Sequence, residues 1–401
     1  MPRSGWRKPV SDRSLSDLVS IGLLTRVFAP AVVDEVIAEA GRMQQRSRVL
    51  PARVVAYFAV AMALHADGSY EDVFAELTDG LSWASGWEEA YPVPSASAIF
   101  QARARLGAGP VEAMFRRVAS PLAQKEWSGS WLADRRMLAI DATMLDLADS
   151  QANEAEFGRP GTGRGEQAAY PQARLVAVAE CGTHAVLDAV IGSCAEGETT
   201  LAAELLERLE PGAALIADRG FYGFELWKTA AATGADLMWR VKNTVKPRYL
   251  ETLPDGTWLA EIRRTSGPGW RQEPPLRVRV IDYQITPGAD AEPGKYRLLT
   301  TLTDPAEASA GDLAAAYHSR WEIESVFDEL KTHQRGAKAV LRSKSPELVR
   351  QEIWGHLCCH YAIRALMADT AYHAGKPPDR VSFTKALRIC RRSLTQGSFS
   401  P

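Results

Sequence analysis

The sequence predicts an α/β protein: a core of strands and helices interrupted by a β-rich insertion and preceded by an all-α N-terminal domain. Three observations carry this prediction. Residues from about 15 to 125 show helical spacing; short apolar runs alternating with amphipathic stretches begin near Arg136; and from Asn243 to Pro305, turn signals such as PDG and GPG separate β-like runs such as PLRVRVIDYQI and YRLLTTL. The implied division is residues 1–130 for the helical domain, 131–242 for the first part of the core, 243–305 for the insertion, and 306–401 for the second part of the core with C-terminal helices.

Within the helical region, LPARVVAYFAVAMALH (Leu50 to His65) is an apolar helix with Pro51 near its start. SASAIFQARARLG (Ser95 to Gly107) has a serine N-cap and a glycine stop, and Gln101, Arg103 and Arg105 give it a polar side. Such a helix is a candidate for a DNA major groove, or a structural helix whose Arg103 and Arg105 are merely solvated. Next, MLAIDATML (Met137 to Leu145) reads as a buried strand, and ARLVAVAE and HAVLDAVIG as a hairpin joined by Cys-Gly-Thr. TTLAAELLERL is an amphipathic helix, AALIAD (Ala213 to Asp218) a fourth strand, and DLMWRVK a fifth after a helix from about Phe224. The Gly-rich stretch GRPGTGRGEQ does not sit between an apolar strand and a helix, so it is not read as a phosphate cradle.

Composition narrows the function classes. Of 401 residues, 46% are hydrophobic and 24% charged, as in an ordinary globular protein. No apolar run is long enough to span a membrane, and MPRSGWRKPVSDRSLSD lacks the apolar centre of a signal peptide, so the cytoplasm is the expected location. Five cysteines without CxxC spacing read as reduced thiols; the HLCCH stretch (His356 to His360), set among apolar neighbours, reads as core packing. The net charge of −2 is modest, but Arg240 to Arg279 holds nine Lys and Arg against four Asp and Glu.

The chemistry concentrates in YHSRWEIESVFDELK, Tyr317 to Lys331. At about 100° per residue, Tyr317, Arg320, Glu324 and Lys331 would share one face of a helix, opposite Ile323, Val326 and Leu330. A phenol, a guanidinium, a carboxylate and an ammonium together suit phosphate and a divalent metal. Taken alone, such a pattern also describes an ordinary surface helix with i, i+4 ion pairs. Two upstream acids change that weighting. Asp141 lies in the first core strand and Asp218 at the end of the fourth. A buried strand acid is costly unless paired or metal-bound. Neighbouring first and fourth strands, with a late helix across their ends, are what a ribonuclease H-like core needs to gather Asp141, Asp218 and Glu324 for two-metal phosphoryl transfer. Asp146 and Asp149 are read as strand-edge or loop acids.

With IDAT at Asp141, ADRGFY at Asp218, and Tyr317, Arg320, Glu324 and Lys331 in Y-x2-R-x3-E-x6-K spacing, essentially the whole chain resembles the DDE transposases of the insertion-sequence-four group, which carry a YREK signature. The resemblance implies a cut-and-paste enzyme that cleaves double-stranded DNA at its terminal inverted repeats and joins the 3′-hydroxyl ends to target DNA. It implies Asp141, Asp218 and Glu324 as catalytic ligands of Mg²⁺, with Mn²⁺ able to substitute, and Tyr317, Arg320, Lys331 and Arg219 as DNA-phosphate contacts. A homodimeric synaptic complex, nucleoid association when bound, no membrane partner, and a hairpin intermediate with a flipped base stacked on an aromatic of the insertion are further implications. The end of the insertion reads KYRLLTTLTDP without a Trp, leaving Tyr296, Trp258 and Trp270 as stacking candidates. Trp321 could pack on DNA or against the core, with the core slightly favoured. The rival readings are another ribonuclease H-like nuclease or resolvase, and a catalytically silent or C-terminally shortened transposase-derived DNA-binding protein.

Overall fold

Neither compact unit of this protein is a continuous stretch of sequence. The computed structural model describes residues 22–44, 50–84, 93–161, 167–285, 294–336 and 340–396. One unit comprises Met1–Ser120, Leu145–Ala173 and Asp328–Pro401; the other comprises Pro121–Met144 and Arg174–Phe327. This corrects the expected division in two places. The C-terminal helices pack with the N-terminal helices, and the β-rich insertion is built into the core sheet.

The helical unit contains α1 (Gly22–Val27), α2 (Pro30–Glu39), α3 (Ala52–Leu64), α4 (Tyr70–Ala84), α5 (Ala96–Leu106), α6 (Gly109–Val118), α7 (Gln151–Phe157), α12 (Pro346–His373) and α13 (Phe383–Gln396). Helix α3 is apolar all round, and every residue from Val54 to Leu64 is buried. A helix with no polar stripe must be surrounded, and the long α12 supplies one wall. Gly355 permits that approach, because a Cβ there would overlap the Ala59 carbonyl oxygen. The HLCCH stretch lies in α12 and is buried, as its apolar flanks imply. Gln334 Nε2 donates to the His356 carbonyl at 3.0 Å, while His360 Nε2 lies 2.9 Å from Glu329 and Arg364 Nε donates to the same carboxylate at 3.0 Å. Burial lowers the His356 pKa to about 3, keeping that ring neutral.

The second unit is organised by a sheet. Its strands are β1 (Trp131–Leu132), β2 (Arg135–Leu147), β3 (Gln172–Glu180), β4 (Val186–Ser193), β5 (Ala213–Ala217), β6 (Asp236–Arg240), β7 (Arg248–Thr252), β8 (Trp258–Ile262), β9 (Leu276–Ile285) and β10 (Gly294–Thr300). The main order is β4-β3-β2-β5-β6-β10-β9-β8-β7. Strands β2, β5 and β6 are parallel, and β10 adds antiparallel to β6. The first five strands in that order have the ribonuclease H-like arrangement, confirming the fold class expected from the sequence. β5 is buried at all five positions, as a strand covered on both faces should be. Helices α8 (Glu198–Leu206) and α9 (Phe224–Ala232) pack together and onto this sheet, with Trp227 and Trp239 edge-to-face at 5.2 Å inside the core. The helices α10 (Ala310–His318) and α11 (Trp321–Asp328) follow the insertion.

The insertion also explains its positive charge. Arg279 is fully buried and donates to Thr257 Oγ1 at 2.9 Å and to the Ala308 carbonyl at 2.7 Å, beside Asp255. Arg277 pairs with Glu251, Arg248 and Arg263 pair with Glu261, and Arg264 with Glu225. Most of the segment's arginines therefore sit in ion pairs within the unit.

The α3–α12 crossing generates a stability prediction. Gly355→Ala should lower unfolding free energy by about 1–3 kcal/mol through overpacking. Gly109→Ala, where an added Cβ meets no atom within 4 Å, should stay within about 1 kcal/mol of wild type. Denaturant unfolding of the two variants checks the difference.

Candidate active site

The register of β2 against β5 builds the first half of the site. Ile140 lies opposite Ala217 in the last parallel pair, so Asp141 and Asp218 follow side by side and project from the same sheet face. The next strand adds a third group. Ala217 pairs with Trp239, which puts Arg240 beside Asp218, and Arg240 Nη1 is 4.0 Å from Asp218 Oδ1.

The second half comes from α10 and α11. Ser309 caps α10, its side chain accepting from Asp312 N at 3.1 Å. Tyr317, near the end of α10, is buried, and its hydroxyl donates to Asp218 Oδ1 at 3.5 Å. Burial, followed by the Asp218 charge, raises the Tyr317 pKa and keeps the phenol protonated. The backbone then tightens: Ser319 N bonds Ala316 O, Arg320 N bonds Tyr317 O, and Glu322 N bonds Ser319 O. These are i to i+3 bonds, and they separate α10 from α11. The single helix expected from Tyr317 to Lys331 is thus corrected to two α-helices and a following π-helical turn, Glu329–Gln334.

Arg320 sits at the junction and is only 7% exposed. Its guanidinium spans two acids, with Nη1 3.8 Å from Asp141 Oδ2 and Nη2 3.2 Å from Glu324 Oε1. It also stacks over Trp321, 4.5 Å from the ring centroid. Trp321 is 53% exposed, so it is a lid on Arg320 rather than a core residue, contrary to expectation. Glu322, one turn away, accepts from Gly182 N and lies 3.4 Å from His184 Nε2, fastening α11 to the β3–β4 turn.

The electrostatics centre on Asp141. Its pKa is raised to about 6, chiefly by desolvation, with the charges of Glu198 and Glu324 adding to the rise while the Ala142 amide and Arg320 oppose it. A carboxylate in this position holds its proton more tightly than usual unless a cation is close.

Asp141, Asp218, Glu324, Tyr317 and Arg320 therefore form one cluster. Arg219 is exposed next to Asp218. Lys331 is exposed on the π-helical turn and belongs to the other unit. In α5, Gln101 and Arg105 are exposed, but Arg103 is fully buried. It donates through Nε to Gln351 at 2.9 Å and through Nη2 to Ser343 at 3.2 Å, and also bonds Tyr70. The DNA-reading role expected of Arg103 is corrected: its guanidinium ties α5 to α12. Asp146 and Asp149 are engaged elsewhere, by Gln172 and Arg159.

Residues 18–116 match the family described as Insertion element 4 transposase N-terminal. Residues 132–362, more than half of the chain, match the Transposase DDE domain. The chain belongs to the DDE transposases of the IS4 family. It is 30% identical over 378 residues to the transposase InsG for insertion sequence element IS4 of Escherichia coli (strain K12), covering 91% of this chain and 81% of InsG. A solved structure, the cryo-EM structure of piggyBac transposase synaptic complex with hairpin DNA, aligns at a TM-score of 0.47 and 12% identity over 93% of this chain and 79% of that one. The protein is accordingly a DNA-cutting and DNA-joining enzyme of transposition. No described helix is long and apolar enough to cross a membrane.

Sequence reasoning missed Arg240, Glu322 and Glu198. Strand order carried the signal for Arg240, since the residue ending the fifth strand must lie beside the acid ending the fourth. Arg240 also stacks on Tyr296, 4.2 Å from its centroid, and Tyr296 stacks on Tyr283 at 5.4 Å. These aromatics border a cavity of about 340 Å³ that Asn243, Lys295 and Arg297 also line.

The raised Asp141 pKa yields a prediction with a defined sign. In metal-free protein, the folded state binds a proton at Asp141 between its ordinary value near 4 and about 6, where the unfolded chain has released it. Stability should therefore fall as pH rises through that window. Asp141→Asn should lack this component, and melting temperatures of both proteins in chelator across pH 4–7 check it.

Proposed function

We propose that this transposase cuts at the ends of its insertion sequence and joins the 3′-hydroxyl ends to target DNA by two-metal-ion phosphoryl transfer, working in the cytoplasm on nucleoid DNA as a homodimer. The observation that supports this most is the cluster in which Arg320 spans Asp141 and Glu324 while Tyr317 reaches Asp218. Among the described residues, no three His, Cys, Asp or Glu side chains already encircle one point; the acids are partnered by Arg320 and Arg240. The donor set nevertheless fits a hard cation. All the acids offer oxygen, and Asp141, whose carboxylate burial chiefly disfavours, is a group that a nearby cation would help keep charged. Asp141, Asp218 and Glu324 would hold Mg²⁺, or Mn²⁺ in its place. When bound, a pair of such ions activates the attacking hydroxyl and stabilises the leaving oxygen.

The chain's own groups do the positioning. Tyr317 stays protonated and can donate to a phosphate oxygen, and Arg320 offers a planar fork for two. Arg219 and Lys331 would add phosphate contacts, and the exposed Gln101 and Arg105 of α5 would read the terminal inverted repeats. In the first cut, a water oxygen bonds to phosphorus at the element end and the P–O3′ bond breaks, leaving a 3′-hydroxyl. That hydroxyl then attacks a phosphodiester of the opposite strand, closing a hairpin and releasing the flanking DNA. Reopening and attack on target DNA follow the same exchange of P–O bonds. Closing a hairpin needs a base outside the stack, at a cost of a few kcal/mol. The Tyr296–Tyr283 pair, joined to Asp218 through Arg240, offers a platform to offset it.

Two measurements test this reading. With DNA carrying the element's repeats and Mg²⁺, wild type should nick at the repeat boundary and expose a 3′-hydroxyl, and Glu324→Gln should not. Nicking that survives the substitution would put the active site elsewhere, and binding without nicking in both proteins would mark a disabled copy. Tyr296→Ala should leave the first nick intact and slow hairpin formation about ten- to a hundred-fold, the worth of one lost base stack. Equal slowing of both steps on a denaturing gel would remove the stacking role.

A further inference from the structure

The π-helical turn Glu329–Gln334 is held at both ends by buried side chains of its own unit. At its start, Glu329 accepts from Arg364 through both carboxylate oxygens, Nε donating at 3.0 Å, and lies 2.9 Å from His360 Nε2. At its end, Gln334 Nε2 donates to the His356 carbonyl at 3.0 Å, and the Gln334 carbonyl accepts from Arg391 Nη2 of α13 at 3.3 Å. Glu329 and Gln334 are buried, whereas Lys331, Thr332 and His333 between them are exposed.

The spacings on the two sides match. His356, His360 and Arg364 stand four residues apart and form one stripe along α12. Glu329 and Gln334 stand five apart. On an α-helix that separation turns the second side chain about 140° from the first, so the two would not face one stripe. On a π-helix, whose amide bonds join residues five apart, they nearly align. The α12 stripe thus engages both ends of the segment in its π-helical form, and an α-helical form would turn one of them away.

The ordinary reading of such a cluster is stability. A buried carboxylate–guanidinium pair serves that end poorly, because desolvation offsets the attraction and well-packed apolar side chains do as well; its best-attested use is to fix a register. Turns of π-helix are rare and occur frequently at functional sites. The register fixed here decides which way the three exposed residues face, and one of them, Lys331, is the last member of the YREK signature.

We propose that Glu329, Gln334, His360 and Arg364 are positioning residues: they lock the π-helical turn and so aim the Lys331 ammonium at a DNA backbone phosphate. This rests on the reading of Lys331 as a phosphate contact given above. Glu329 acts through Lys331, its own charge being matched by Arg364.

The test is binding of the full-length protein to a duplex carrying the element's terminal repeat, followed over a salt series. Lys331→Ala should reduce the steepness of log affinity against log salt by about one, the loss of one phosphate contact. Glu329→Gln should lose the same increment, although it removes a negative charge, and so should Gln334→Ala. Adding Lys331→Ala to either should change the slope no further. Gln334→Ala leaves every charge in place, which keeps the idea testable where Glu329→Gln folds poorly. Tyr361→Phe is the control for stability alone. It removes a hydroxyl of α12 that donates to the Ser120 carbonyl at 3.0 Å, so it should lower the melting temperature and keep the wild-type slope. A wild-type slope in Lys331→Ala would overturn the phosphate contact and the proposal with it. A reduced slope in Lys331→Ala, with wild-type slopes in Glu329→Gln and Gln334→Ala, would overturn the positioning role alone, as would an equal reduction in Tyr361→Phe.

Discussion

Register in the parallel pair β2–β5 decides where charge collects in this protein. Because Ile140 lies beside Ala217, the next residues on both strands, Asp141 and Asp218, must share a face and an edge of the sheet. A one-residue slip would send one carboxylate to the opposite face. The residues before each acid prevent that slip. Met137–Ile140 and Ala213–Ala217 are buried, so a slip would change which of their apolar side chains meet each covering layer. The hydrophobic core thus sets the geometry of the charged site, and the extension of the sheet through β6 and β10 carries it outward to Arg240 and Tyr296.

Gathering carboxylates has a cost that the fold meets locally. Burial of a strand carboxylate disfavours its charged form, and nearby acids add to the effect, as at Asp141. Arg320 lowers that cost by facing Asp141 and Glu324 at once, a task that suits a planar fork better than the point charge of a lysine. Trp321 shields the guanidinium from one side. In the proposed reaction, a divalent cation would take over the neutralisation of the acids and leave Arg320 to the phosphate. The same group can serve the metal-free fold and the substrate because its two partners carry the same sign of charge.

Much of this was legible in the sequence, and the departures have physical causes. Strand order and both strand acids could be read because short apolar runs bounded by turns leave few alternatives; Ser95 and Gly107 mark α5 by cap chemistry alone. Arg103 misled because an exposed and a buried arginine look identical in a periodic pattern. Its burial depends on Gln351 and Ser343, some 240 positions away, which no local spacing can foresee. Trp321 misled for the converse reason: an aromatic normally seeks the core, but here the guanidinium of its neighbour is the surface it covers. The β-rich segment was recognised as strands, yet its joining to the core rests on the β10–β6 register, from Leu298 against Arg240 to Thr300 against Met238, which lies between distant stretches of chain.

The interruption between α10 and α11 gives a reason why the third acid sits where it does. In one continuous helix from Ala310, Glu324 would lie mid-helix, where the macrodipole offers it nothing. The i to i+3 bonds at Ser319–Glu322 instead start a new helix, with Glu322 and Glu324 in its first turn. Free amide groups and the positive end of the dipole there favour each carboxylate by about 0.3–1 kcal/mol. Glu322 converts its share into a fastening on the Gly182 amide, and Glu324 remains half exposed beside Arg320. The spacing of Tyr317, Arg320 and Glu324 is therefore maintained by a helix boundary: the phenol ends one helix, the guanidinium occupies the joint, and the carboxylate opens the next.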